Sequence, residues 1–246
     1  MDRMLFIAMN GAKQMMTAQA INSNNLANAS TTGFKADFQS SLSQQVYGPG
    51  HPSRVYASVT DAGVDLSSGS VVTTGRELDV AVNGEGWFAV QGGDGNEAYT
   101  RAGDLMIDNL GRLTNGAGNV VLGNGGPITV PAHAKLEIGS DGTITVQPIG
   151  QSASTLAVVD RLKLVNPSSD QMQKGTDGLM HLKDGRNAVN DGSIRVVSGS
   201  LEASNVNTVG ALVKMIELAR QYETHIKLMQ GAEENDRAAA EILKMS

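Results

Sequence analysis

Asn24-Asn25-Leu26-Ala27-Asn28-Ala29-Ser30-Thr31-Thr32-Gly33-Phe34-Lys35 is the stretch at which the chain changes character. It reads as a helix exit. Asparagine tolerates the left-handed conformation or caps with its amide, Gly33 permits a positive φ, and Phe34 offers one large apolar anchor at the start of an extended segment. A helix is expected to end here and a different architecture to begin.

Upstream, Asp2 to about Asn24 contains good helix formers and two overlapping apolar seams. One runs through Leu5, Ala8, Ala12 and Met15, the other through Met4, Ile7, Gly11 and Ala18. Small residues at Ala8, Gly11 and Ala12 would let a second helix approach closely. The far end of the chain is patterned in the same way. Leu212, Met215, Ala219, Tyr222, Ile226 and Met229 repeat at alternating spacings of 3 and 4, and Ala240 and Leu243 resume the row after Glu233 and Asp236. Asn205 is the expected N-cap, and Glu223 to Lys227 and Glu233 to Arg237 are i,i+4 pairs in the favourable order. A helix from Val206 to Lys244 would reach about 60 Å and needs a partner along its length.

Between the ends, turn chemistry is dense: Asn83-Gly84, Asp94-Gly95, Asn115-Gly116, Asn124-Gly125, Asp141-Gly142, Asp177-Gly178, Asp184-Gly185 and Asp191-Gly192. Short strands are expected at Leu78 to Val82, Trp87 to Gln91, Leu105 to Asp108, Val120 to Leu122, Ile128 to Val130, Leu136 to Ile138, Thr143 to Val146, Leu156 to Val165 and Ile194 to Val197. The expected fold class is α+β, with an all-β central body, sandwich or barrel-like. Long N- and C-terminal helices would pack together or with neighbouring subunits. The expected boundaries are an N-terminal helix over 1–28, an extended arm over 29–75, a β body over 76–203 and a coiled-coil-like helix over 204–246. The arm is rich in Ser, Thr and Gly, carries Pro49 and Pro52, and is expected to order against a partner.

The 246 residues hold no cysteine, which removes disulfides, thiolate metal sites and cysteine nucleophiles. A net charge of -6 without a basic cluster argues against nucleic acid, and no run approaches the roughly 18 apolar residues of a spanning helix. The opening lacks the features of a cleaved secretory signal, so general secretion is not expected. His51, His133, His181 and His225 fall in no metal-binding spacing, and His225 reads as a solvated helix-surface residue. No nucleophile elbow or phosphate loop occurs, and no cofactor, metal or catalytic residue is expected. Gly92 to Asn96 reads as a hairpin loop. The acids Asp79, Glu85, Asp104 and Asp108 are read as turn and edge-strand residues before an acid and base pair.

Several of these segments, taken in order, resemble the rod and hook proteins of the bacterial flagellum. Asn24, Asn25, Leu26, Ala27 and Asn28, followed by Gly33, Phe34 and Lys35, are similar to that family's N-terminal signature. Glu85-Gly86-Trp87-Phe88 resembles its Gly-x-Gly-Phe-Phe segment, and Tyr99 to Asp104 its Thr-Arg-Ala-Gly hairpin. Ser204 to Asn207, Met215-Ile216 and Arg220 to Glu223 resemble its C-terminal helix. Length and the opening Met1-Asp2-Arg3-Met4 are most like the longer proximal-rod members, with the distal-rod members as the alternative.

The resemblance implies a structural subunit of the basal-body rod, crossing the periplasm and exported by the flagellar type III pathway. Its implied partners are other proximal- and distal-rod subunits, copies of itself and the export apparatus. The terminal helices would form an inner tube and transmit torque through helical packing. An enzyme acting on peptidoglycan is the contrasting expectation.

Overall fold

The computed structural model describes residues 4–45, 55–150 and 156–244. The Met1-Asp2-Arg3 opening and the segment with Pro49, His51 and Pro52 lie outside the described residues. The chain divides into two compact units, one made of residues 1–29, 36–65 and 206–246, the other of residues 30–35 and 66–205.

The first unit contains α1 (Met4–Ala27), β1 (Asp37–Gln45), β2 (Val55–Val64) and, at the far end of the chain, a second helix, Thr208–Lys244, called α2. At about 1.5 Å per residue these helices span roughly 36 and 55 Å. They run antiparallel: Asn22 Nδ2 donates to the Ala211 carbonyl at 2.8 Å, while Gly11 lies against His225 about three turns nearer the start of α1. The cap of α2 is Asn207, whose Oδ1 accepts from Gly210 N at 2.9 Å. The expected cap, Asn205, sits too early because its backbone N–H and its amide are engaged with Phe34 and Ser67. Within the segment read as an extended arm, β1 and β2 pair as an antiparallel ribbon with an irregularity between Gln39 and Ser40. Gln39 Nε2 donates to Gln14 Oε1 at 3.2 Å, tying the ribbon to α1.

The second unit is the β body. Its strands are β3 (Val71–Thr73), β4 (Val80–Asn83), β5 (Trp87–Gln91), β6 (Glu97–Thr100), β7 (Leu105–Ile107), β8 (Leu113–Asn115), β9 (Val120–Gly123), β10 (Gly126–Pro127) and β11 (His133–Ile138). They continue as β12 (Thr143–Pro148), β13 (Ala157–Arg161), β14 (Leu164–Val165), β15 (Met172–Lys174), β16 (Met180–Leu182), β17 (Arg195–Ser198) and β18 (Ser200–Glu202). The largest sheet has the order β15-β16-β6-β5-β9-β8-β7, with β10 on β9 and β14 on β5. A β11-β12-β13 sheet and two ribbons, β17-β4 and β18-β3, complete it. One core joins the largest sheet, the β11-β12-β13 sheet and the β17-β4 ribbon. Leu136 and Ile138 from β11 and Ile144 and Val146 from β12 enter it at alternate positions, the period-2 signature of half-buried strands, whereas Val80 and Val82 from β4 and Phe88 and Val90 from β5 come from strands buried on both faces.

Two strand expectations change in the structure. Leu156 to Val165 is not one strand, because Leu162 N and Lys163 N turn aside to the carbonyls of Gly142 and Leu122. Ile128 to Val130 forms only a bridge at Thr129. At Asp141-Gly142 the glycine takes φ 84°, as that turn requires, whereas at Asn115-Gly116 the positive φ moves to Gly118.

Candidate assembly faces and the buried Glu202 cluster

The inward row on α2 shares Met215, Tyr222 and Met229 with the expected one and takes Ala211, Leu218 and His225 at the positions next to Leu212, Ala219 and Ile226. Ala211, Leu218 and Ala232 are buried, and Met215, Tyr222, His225 and Met229 are half-buried. This is a heptad alternation starting at Ala211. Of the residues expected from the sequence, Met215, Ala219, Tyr222, Ile226 and Met229 are half-buried and Leu212 is 50% exposed. On α1, Ala8 and Ala12 are buried, Met15 is half-buried and Leu5 is exposed. His225 is not a solvated surface residue: it lies against Gly11, and its Nδ1 is buried with no hydrogen-bond partner among the described residues.

Each helix also leaves an apolar face uncovered. On α2, Val209, Leu212, Val213 and Ile216 are 50–70% exposed and follow each other at i, i+3, i+4 and i+7. At about 100° per residue this stripe faces away from the inward row. On α1, Phe6, Met9 and Met16 are more than half exposed and share a second face.

The asparagines of the exit motif have distinct tasks. Asn25 is buried, and its amide forms a reciprocal pair with the Asp37 backbone: Nδ2 donates to the carbonyl at 2.7 Å and Oδ1 accepts from the N–H at 2.9 Å. Asn28 Nδ2 donates back to the Asn24 carbonyl at 2.9 Å, satisfying one of the acceptors that every helix end leaves open. The Leu26 carbonyl accepts from Ala29 N, and Ala27 is the last helical residue.

Gly33, Phe34 and Lys35 belong to the β body. Gly33 has φ 66°, and a Cβ there would lie 2.3 Å from the backbone of Arg101 and Ala102. Lys174 Nζ lies 4.1 Å from the centre of the Phe34 ring and donates to the Lys35 carbonyl at 3.0 Å. Lys35 Nζ meets Glu202 Oε1 at 2.7 Å and donates to the Ser67 carbonyl at 2.7 Å. Arg101 joins from the other side, with a nitrogen 2.8 Å from Glu202 Oε2 and a second donating to the Gly84 carbonyl at 2.8 Å. Gly69 N also donates to Glu202 Oε1, at 2.9 Å. Both cations lie over the Trp87 ring, at 5.9 Å for Lys35 Nζ and 5.3 Å for the Arg101 guanidinium carbon. Lys35, Arg101 and Glu202 are each at most 3% exposed. Removing one partner from such a buried group typically costs about 3–5 kcal/mol, because the remaining charge stays buried.

Lys35, Trp87 and Arg101 fall in segments marked by the sequence, whereas Glu202 does not. Its neighbours Ser200 and Leu201 carry no local signal, and only the fold brings its carboxylate to the two cations. Of the acids considered for chemistry, Asp79 accepts from Thr74 Oγ1 at 2.6 Å and pairs with Arg76 at 2.6 Å. Asp108 organises the turn through Leu110 N and Arg112 N, both at 2.8 Å. Asp104 is the bridge partner of Asp79, and Glu85 is exposed.

An antiparallel helix pair with apolar outer faces, in a chain that also carries a β body closed by a buried ion cluster, is the construction of a structural assembly subunit. Comparison with known proteins narrows the class. Residues 5–35 match the flagella basal body rod protein family, residues 81–146 the D1 domain of the flagellar hook protein FlgE/F/G, and residues 197–242 the C-terminal region of the flagellar basal body rod FlgEFG protein. The chain is 40% identical to the flagellar basal-body rod protein FlgF of Escherichia coli (strain K12) and 39% identical to that of Salmonella typhimurium, over the full length of each. It is 33% identical to the flagellar basal-body rod protein FlgG of Bacillus subtilis, covering 95% of this chain and 96% of the relative. The chain belongs to the flagellar basal-body rod protein family, and its place is the rod of the basal body.

Proposed function

We propose that this chain is a subunit of the proximal part of the rod, exported by the flagellar type III pathway. In this reading its terminal helices join an inner tube with other proximal-rod subunits, distal-rod subunits and copies of itself. The observation that carries the reading is the uncovered stripe of Val209, Leu212, Val213 and Ile216 on α2, on the far side from the row that packs against α1. A helix with apolar residues on two sides can meet unlike neighbours through unlike surfaces, the heterologous geometry that builds filaments. Leu5, Leu212 and their neighbours are then buried on assembly. The exit motif, Asn24 to Asn28 with Gly33 to Lys35, shapes the chain between helix and body. The reading assigns no catalysis, since Asp79 and Asp108 are committed to ion pairs and turns.

The test compares two chromosomal substitutions. Ile216→Glu alters the outer stripe and is expected to leave an exported, folded subunit that fails to enter basal bodies. Ala12→Glu alters the inner seam and is expected to abolish rod assembly while the β body still folds. Basal bodies with complete rods in the Ile216→Glu strain would overturn the reading. A distal-rod position is the second reading, supported by the relative named FlgG. Electron cryotomography of a deletion strain separates the two: inner rings with neither distal rod nor hook support the proximal position.

A further inference from the structure

The β body is assembled from two chain segments, Ser30–Lys35 and Leu66–Asn205, and therefore has four chain ends. All four lie within three residues of a group bonded to the Glu202 cluster. Gly33 N donates to the Glu202 carbonyl at 2.8 Å, a short step from Ser30. Lys35 is itself an end, held by the Glu202 carboxylate. Next to Leu66, the Ser67 carbonyl accepts from Lys35 Nζ at 2.7 Å and the Glu202 carboxylate takes Gly69 N. Asn205 N donates to the Phe34 carbonyl at 3.3 Å, and its amide to the Ser67 carbonyl at 3.1 Å.

We infer that Glu202 and its two cations are the mechanical anchor of the β body, the point at which any force arriving along the chain is received. The arrangement suits that task. The bonds from Gly33 to Glu202 and from Asn205 to Phe34 advance in the same sense on both segments, so the two segments run side by side in one direction. Tension pulling the first segment towards Ser30 and the second beyond Asn205 acts on them in opposite directions. The backbone bonds and the ion pair then share the load together; they do not open one after another. Burial adds to this, because separating Lys35 or Arg101 from Glu202 leaves a desolvated charge on each side. The purpose of the anchor rests on the rod reading, but its existence is a property of the folded chain alone.

The absence of cysteine allows site-specific handles. The full chain is pulled at constant force between cysteines placed at Ser30 and Thr208, across the anchor. A second pair at Leu110 and Val189, both well exposed, serves as a different axis. At equal force the unsubstituted protein is expected to unfold more slowly along the first axis. Glu202→Gln is expected to raise the unfolding rate about tenfold or more along the first axis and to leave the second within about twofold, because an interaction changes that rate only where the transition state has lost it. Lys35→Met, which keeps Arg101 with Glu202, is read in the same way if Glu202→Gln does not fold. Equal acceleration on both axes would reduce the cluster to an ordinary stabilising contact and overturn the inference. So would no change on either axis, or equal resistance of the unsubstituted protein along both. None of these results touches the rod reading, which is judged from basal bodies.

Discussion

Gly11 of α1 faces the imidazole of His225 on α2 so closely that a Cβ on Gly11 would lie 2.3 Å from His225 Cε1 and 2.7 Å from Nδ1. A glycine inside a helix costs about 0.5–1 kcal/mol relative to alanine, so an open site would gain from the exchange. Here Gly11→Ala is expected to destabilise the helix pair by about 1–3 kcal/mol, the usual cost of overpacking. Adding His225→Ala should recover most of that loss. Urea denaturation followed by helical circular dichroism, run as a double-mutant cycle, measures the coupling. A Gly11→Ala protein more stable than the original would show that close approach does not govern the pairing.

Asn25 acts through geometry, as its amide substitutes for one rung of a β-ladder against Asp37. Asn25→Ala removes both bonds and is expected to cost about 1–3 kcal/mol. Asn25→Asp should cost more, since the donor facing the Asp37 carbonyl becomes a second acceptor. Hydrogen exchange of the β1 amides is the direct readout, with faster exchange expected in both variants and more so in Asn25→Asp.

The terminal helices and a turn-rich β body were legible because period and turn chemistry are local properties. The alternate positions of the helix seam were not, although Met215, Tyr222 and Met229 were. Hydrophobicity favours Leu212 and Ile226 over Ala211 and His225, whereas close packing against Ala8, Gly11 and Ala12 favours small residues or a ring that fits a glycine. Strands of two to four residues such as β6 and β18 were also missed, since so short a segment shows no alternation. Lys35, Arg101 and Glu202 are far apart in the chain, and nothing in the neighbourhood of Glu202 announces a buried charge. The motif could be recognised at Gly33-Phe34-Lys35, but the reason for it lies in the tertiary structure.

Gly33 illustrates that reason. Its φ of 66° is uncomfortable for any residue with a side chain, and the space a Cβ would need is taken by the backbone of Arg101 and Ala102, which cannot rotate away. Gly33→Ala is expected to cost about 3 kcal/mol or more from strain and overlap combined. Thermal unfolding followed by the fluorescence of Trp87, the single tryptophan, reports on this cluster directly. An unchanged melting temperature would contradict the geometry.

The turns of the body carry their own acid sensitivity. Asp94, Asp141 and Asp191 are each held below the ordinary aspartate value of 3.8, chiefly by a side-chain hydrogen bond from Asn96, Thr143 and Ser193 respectively, and then by the backbone N–H of the same residue. A lowered folded-state value means that the unfolded chain binds protons first as the pH falls. The stabilisation is therefore present above 3.8 and is lost as the pH drops through the lowered values. Urea midpoints should be flat through neutral pH and fall in the acid range, and the triple Asp→Asn variant should show a shallower fall. An equally steep fall in that variant would place the acid sensitivity elsewhere.

Protection along α2 should be graded by what covers it. Residues from Ala211 to Ala232 contain the buried and half-buried row that faces α1, whereas positions 233–242 and Lys244 are all exposed. An exposed helical segment has only its own hydrogen bonds and pairs such as Glu233 with Arg237, worth a few tenths of a kcal/mol. Amides after Ala232 are therefore expected to exchange orders of magnitude faster than those near Leu218 in the isolated subunit, because local opening there breaks no packing. In assembled basal bodies the same amides should slow if neighbouring subunits cover that segment. Uniform protection along the whole of α2 in the isolated subunit would mean that something other than α1 holds the helix, and the division between its inner and outer faces would have to be redrawn.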